Sequence, residues 1–177
     1  MAAPLLLTAV MAVASATGGV PLNQPVFALD LTRYAGQWHE IAHLPMYFQR
    51  KCVDQITATY TARADGRIDV RNGCRTRAGD QAVSRGIARP VNGQPGALKV
   101  RFAPDWLAWL PWVWADYWVN ELDPGYQWAV VGSPSRKYLW VLSRKPTMAG
   151  DLFRQRIANA KLRGYPVDRL VMAAPLD

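Results

Sequence analysis

The chain's 177 residues, half of them hydrophobic and 11% aromatic, suffice for one domain with a sizeable core and are too apolar for disorder. Its 21 Lys and Arg against 13 Asp and Glu leave a net charge of +8, scattered along the sequence and not gathered in one run. That spread favours a general attraction to anionic surfaces such as bacterial membranes over a dedicated nucleic-acid site, with a merely soluble basic protein as the plain alternative.

Residues 1–20, MAAPLLLTAVMAVASATGGV, carry no charged side chain, and an apolar run from Leu5 to Val13 leads to Ala14-Ser15-Ala16, a small-residue cleavage site. The reading is a secretory signal over residues 1–16, an N-terminal extension over 17–29 and one domain over 30–177. The apolar run is too short to span a bilayer as a helix. No Cys lies near the cleavage site, so the sequence offers no support for a lipid-anchored N-terminus. Export places the chain in an oxidising compartment, where the even pair Cys52 and Cys74 is expected as a disulfide in preference to two free thiols or a metal site.

The next segment, WHEIAHLP, contains His39-Glu40-Ile41-Ala42-His43, which fits the H-E-x-x-H pattern of zinc hydrolases. The pattern needs a helix, so that two imidazoles one turn apart share the metal. Gly36 before it and Pro45 after it leave a window too short for such a helix, and the segment is expected as a strand. There the two histidines stand about 13 Å apart, too far to share a zinc with Zn–N bonds of about 2.0 Å. Both are expected to face outward.

Short alternating runs follow. QITATYTA sets Ile56, Ala58, Tyr60 and Ala62 on one face; Asp65-Gly66 signals a hairpin, and RIDVRNGC returns with Ile68 and Val70 inward. QAVSRGIARPV is a weaker strand that ends at Pro90 and the Asn92-Gly93 turn. ALKVRF alternates Leu98, Val100 and Phe102 against Lys99 and Arg101. DYWVNEL, YQWAVVG and YLWVLSR come next, separated by DPG and SPSRK turns. After Pro146 the period changes: Thr147 is placed to cap a helix whose apolar stripe is Ala149, Phe153, Ile157 and Ala160, with Gly164 closing it before Pro166. RLVMAA reads as a last short strand. Eight strands in hairpin succession and then a helix predict an all-β fold, an eight-stranded antiparallel up-and-down barrel with one C-terminal helix packed outside, large enough for one small ligand.

Three segments, in order and at barrel spacing, carry a family resemblance. YAGQWHEIAHLP holds the G-x-W of Gly36 and Trp38, LDPGY holds Asp123 and Tyr126, and YLWVLSRKPT holds Arg144. Together they resemble the three signature motifs of the lipocalins, with the bacterial members and apolipoprotein D as the nearest in kind, over nearly all of the chain after residue 29. The resemblance implies that Trp38 plugs the closed end of the barrel and that Arg144 lies across it, a cation–π seal. It also implies that Glu40 sits on the first strand where relatives commonly carry Glu. On that barrel Cys52 and Cys74 fall near the open rim.

The inward faces predicted on this frame offer Tyr60, Val70, Leu98, Val100, Phe102, Trp128 and Trp140, a mostly apolar lining suited to an acyl chain. The stretch APDWLAWLPWVWADYW falls between the fifth and sixth strands. Here Trp114 and Trp118 are expected to line the entrance, and Trp106, Trp109 and Trp112 to lie nearer its rim as membrane-contact candidates; plain packing over the mouth is the alternative. The resemblance implies a periplasmic or secreted binder of fatty acids or lysophospholipids, in storage, transport or membrane maintenance, without catalysis, cofactor or metal. Many such relatives are outer-membrane lipoproteins, and the missing lipobox here points to transient contact with an anionic membrane instead of an anchor. The rival readings are a carrier of haem, a pigment or a quinone, with His39 and His43 as the imidazoles available to haem, and a zinc hydrolase through His39 to His43.

Overall fold

The computed structural model describes residues 22–177; the signal assigned to residues 1–16 lies outside them. A single helical turn, α1 (Leu31–Tyr34), precedes eight strands: β1 (Gly36–His43), β2 (Cys52–Ala62), β3 (Ile68–Thr76), β4 (Gln81–Val91), β5 (Gln94–Arg101), β6 (Ala115–Leu122), β7 (Trp128–Gly132) and β8 (Leu139–Ser143). Each pairs antiparallel with the next, and β1 pairs with both β2 and β8, which closes the barrel and leaves no open edge among these eight strands. The helix α2 (Gly150–Leu162) packs outside, and a two-residue strand, β9 (Val171–Met172), adds to β1. The predicted architecture is thus the observed one.

The turns follow local chemistry. Asn92-Gly93 joins β4 to β5 in a two-residue hairpin with Gly93 at φ 74°, a conformation that glycine adopts without steric cost. α1 starts at Asp30, whose carboxylate accepts from the backbone N–H of Thr32 at 2.9 Å and Arg33 at 3.2 Å. The start of α2 differs from expectation. Ala149, not Thr147, is its N-cap and makes no side-chain cap bond, while the Thr147 hydroxyl donates to Asp177 Oδ2 at 2.9 Å. The Asp177 carboxylate has captured the hydroxyl that local sequence assigned to the helix. Phe153, Ile157 and Ala160 do face the barrel, against a layer that includes Ile41, Val130 and Val141.

One end of the barrel is shut. Trp38, fully buried, stands in the core with Tyr34, and its Nε1 donates to Tyr34 O at 2.8 Å. The Arg144 guanidinium lies 3.9 Å from the centre of the Trp38 ring and donates to the carbonyls of Arg33, Tyr34, Ala35, Gln37 and Tyr126 at 2.8–3.2 Å. Burial pulls its pKa down from the usual value, yet a guanidinium stays charged in proteins. One side chain thereby joins the end of α1, the start of β1 and the β6–β7 turn. Residues 22–29 run along the wall, with Val26 N–H donating to Val119 O at 2.8 Å where Gly96 leaves no room for a Cβ.

Candidate ligand cavity

The other end is open and leads into a cavity of about 390 Å³. Its deep wall carries Tyr60, Val70, Val100, Tyr117, Trp140 and Leu142; its mouth carries Tyr47, Phe48 and Lys51 from the β1–β2 connection. Cys52 and Cys74 are bonded, with Cα atoms 5.6 Å apart at a sequence separation of 22, and tie that connection to β3. Closing a loop of this length stabilises the fold by about 3 kcal/mol on the chain-entropy argument.

Five of the residues predicted to line the cavity do so: Tyr60, Val70, Val100, Phe102 and Trp140. Leu98 faces inward but lies in the packed core and does not reach the cavity surface. The other three stand outside it. Trp128 shares a strand face with Val130 beneath α2, under the guanidinium of Arg156 at 4.6 Å, while its neighbours Ala129 and Val131 point into the barrel. Trp118 faces outward because Tyr117 and Val119 hold the inward positions of β6. Size misled the reading here: the larger aromatic was assigned inward, whereas the β-branched Val119 marks the true parity.

Trp114 is also outside. Its ring lies 4.2 Å from the guanidinium of Arg89 and 5.2 Å from that of Arg101, and its Nε1 donates to Ala108 O at 2.8 Å. Arg89 and Arg101 alternate with the inward Ala88 and Val100, so the β5–β6 connection folds back along the outer wall. Trp106, Trp109 and Trp112 project from this connection, 73–78% exposed.

The H-E-x-x-H segment is strand, as expected, but its alternation breaks. A bulge between Glu40 and Ala42 turns His43 to the side of Glu40, and His43 Nδ1 pairs with Glu40 Oε1 in a buried contact. This corrects the outward placement of His43; His39 stays on the outer face, half-buried, where partial burial lowers its pKa. Glu40 reaches the cavity and accepts from Gln49 Nε2 at 3.0 and 3.2 Å, and Gln49 Oε1 accepts from Trp140 Nε1 at 3.2 Å. His43, Glu40, Gln49 and Trp140 therefore form one chain from the barrel edge to the mouth. No group of three His, Cys, Asp or Glu able to hold a metal is gathered among the described residues.

Deeper still, the hydroxyl of Tyr117 contacts those of Tyr34 at 2.7 Å and Tyr60 at 2.8 Å. Burial raises the pKa of all three, so each is a neutral hydroxyl. The reading by strand parity missed Glu40, Gln49, Asn72, Tyr34 and Tyr117. Alternation carried a signal for three of them, in the spacings Trp38-Glu40, Val70-Asn72 and Tyr117-Val119. Gln49 and Tyr34 depend on the fold of the β1–β2 connection and on α1, which alternation does not reveal.

A closed eight-stranded up-and-down barrel, capped by a Trp–Arg pair and hollow at the other end, defines the lipocalin class of binding proteins. The lipocalin-like domain profile matches residues 29–175, and the chain belongs to the lipocalin family. It is 39% identical over 148 residues to temperature-induced lipocalin-1 of Arabidopsis thaliana, covering 82% of this chain and 78% of that protein. It is 37% identical over 157 residues to the outer membrane lipoprotein Blc of Vibrio cholerae, covering 86% and 87%. Among solved structures, insecticyanin of the tobacco hornworm Manduca sexta superposes with a TM-score of 0.66 at 20% identity, over 89% of this chain and 91% of that one, a likeness of fold alone.

Proposed function

We propose that this lipocalin is an exported carrier of single-chain amphiphiles, fatty acids or lysophospholipids, that loads and unloads at an anionic membrane of the cell envelope. The observation that carries the reading is the cavity's size and lining. At about 390 Å³ it falls in the range of small-molecule sites, and most of its lining is apolar or aromatic. Each buried methylene contributes about 0.8 kcal/mol, so a chain of about fifteen contributes about 12 kcal/mol, comparable with an association cost of about 4–15 kcal/mol. Apolar burial is thus the main driving force, and the few polar groups set specificity.

Membrane contact is supported by Trp106, Trp109 and Trp112, three exposed indoles on one connection of a chain with net charge +8. Indoles partition to the headgroup level and Lys and Arg draw the protein to anionic lipid. Such contact is weak and reversible, as suits a carrier. Titration of the purified protein with stearic acid and with a lysophospholipid, followed by intrinsic tryptophan fluorescence, tests the carrier. Saturable one-to-one binding supports it, and no binding of either refutes it. Cosedimentation with phosphatidylglycerol vesicles tests the surface: replacing the three tryptophans by Ser is expected to abolish vesicle binding while leaving acid binding intact, and unchanged cosedimentation would refute membrane contact.

A further inference from the structure

Deep in the cavity, hydrogen-bond donors and acceptors do not balance. Tyr34, Tyr117 and Tyr60 hold three hydroxyl protons but make two contacts, at 2.7 and 2.8 Å, both through Tyr117. One proton is left over, and no other group among the described residues accepts it. Tyr34 is walled into the apolar base beside Trp38 and does not reach the cavity, so a spare proton there would be stranded away from any acceptor. A relay that runs from Tyr34 to Tyr117 to Tyr60, or converges on Tyr117, instead delivers it to a ring that lines the cavity.

The opposite imbalance lies one step up the wall. Asn72 turns inward from β3 between Val70 and Cys74, and its buried Oδ1 has no partner. The register pairs Tyr60 with Val70 and Ala58 with Asn72. Tyr60 and Asn72 are therefore diagonal neighbours on one face, with backbones roughly 7–8 Å apart. Two side chains reaching into the lumen from that spacing can meet at one ligand atom.

The chemistry of that atom is constrained. A methyl group answers neither imbalance. A carboxyl group would reach this depth only by giving up its charge, because Lys51, the one cationic side chain lining the cavity among the described residues, stands beside Cys52 at the mouth and favours an ionised head there. A neutral hydroxyl answers both, accepting from the tyrosine relay and donating to Asn72 Oδ1. We propose that the cavity selects amphiphiles whose buried chain carries a hydroxyl group, held between the Tyr60–Tyr117 pair and Asn72. The proposal rests on the lipid-carrier reading and narrows it to hydroxylated chains.

Stearic acid and hydroxystearic acids with the hydroxyl at mid-chain or at the terminal carbon, titrated by tryptophan fluorescence, provide the test. One hydroxy isomer is expected to bind about tenfold more tightly than stearic acid, the yield of two neutral hydrogen bonds that replace unpaired buried groups. Asn72→Leu is expected to cut that preference to below about threefold, and so is the Tyr60→Phe, Tyr117→Phe double variant. The single change Tyr60→Phe moves the spare proton to Tyr117 and should retain part of the preference. Far-ultraviolet circular dichroism reports that each variant is folded, and Asn72→Leu carries the test alone if the double variant does not fold. Equal affinity for every isomer would overturn the proposal, as would a preference undiminished in Asn72→Leu. Binding of stearic acid without discrimination would leave the carrier standing, whereas binding of no chain at all would overturn both.

Discussion

The closed end of the barrel gives a sharp test through Arg144. Its guanidinium serves five carbonyls and one indole face and links α1, β1 and the β6–β7 turn. Arg144→Ala removes a cation–π contact worth about 1 kcal/mol at a partly covered site. It also strips charged donors from five carbonyls. Water can reach some of these from outside, so an allowance of about two hydrogen bonds to a charged donor, near 1.5 kcal/mol each, is reasonable. The expected loss is about 4 kcal/mol, a large share of the 5–15 kcal/mol that holds a domain together. The midpoint of thermal unfolding should fall by about 12 °C, at roughly 3 °C per kcal/mol for a chain of this size. Arg144→Lys keeps the charge but offers one compact ammonium in place of a planar fork, and should recover less than half of the loss. Urea unfolding followed by tryptophan fluorescence and circular dichroism measures both, with an unchanged m-value showing that the end states are preserved. If Arg144→Lys proves as stable as the parent, or Arg144→Ala costs less than about 1 kcal/mol, the argument from multiple carbonyl contacts is wrong.

Three further outcomes follow from the same structure. Glu121 on β6 holds Arg156 at 2.8 Å and Arg163 at 3.5 Å beneath α2, and Glu121→Ala, which strands both cations, should cost about 3 kcal/mol in urea unfolding; a loss below about 1 kcal/mol would show that solvent screens the cluster. A side chain at Gly96 would meet Val26 O at 2.5 Å and Val26 N at 2.7 Å, so Gly96→Val should detach residues 22–29 and expose them to limited proteolysis while the barrel stays resistant, an idea that an unaltered cleavage pattern would sink. Burial holds the hydroxyls of Tyr34, Tyr60 and Tyr117 neutral, with pKa values raised above that of the unfolded chain. Their contribution to stability is therefore whole below the unfolded-state pKa of about 10 and fades as pH rises above it. In ultraviolet titration these three should ionise only together with alkaline unfolding, and phenolate absorbance growing in the still-folded protein to the full count of seven tyrosines would contradict this.

Much of the fold was legible because it rests on short-range rules. Alternation in ALKVRF, turn chemistry at Asp65-Gly66 and Asn92-Gly93, and the change of period after Pro146 are local signals, and they sufficed for eight strands and a late helix in order. Gly36, Trp38 and Arg144 were legible for a different reason, through the spacing of three motifs. What alternation cannot encode is a break in itself. The bulge after Glu40 reverses the side on which His43 falls, and the same strand that excludes a shared zinc brings that histidine onto Glu40.

Aromatic side chains obeyed sequence rules least. A large ring gains as much by packing under a helix, as Trp128 does, or on two guanidinium groups of the outer wall, as Trp114 does, as by lining a cavity; apolarity alone does not choose among these surfaces. The sequence by itself determined the class of the molecule, because hairpins, caps and motif spacing act between neighbours along the chain. Only the tertiary structure decided the cavity's chemistry. The meeting of Tyr34, Tyr60 and Tyr117, and the diagonal of Tyr60 with Asn72, depend on barrel closure and strand register, which bring together residues up to 83 positions apart.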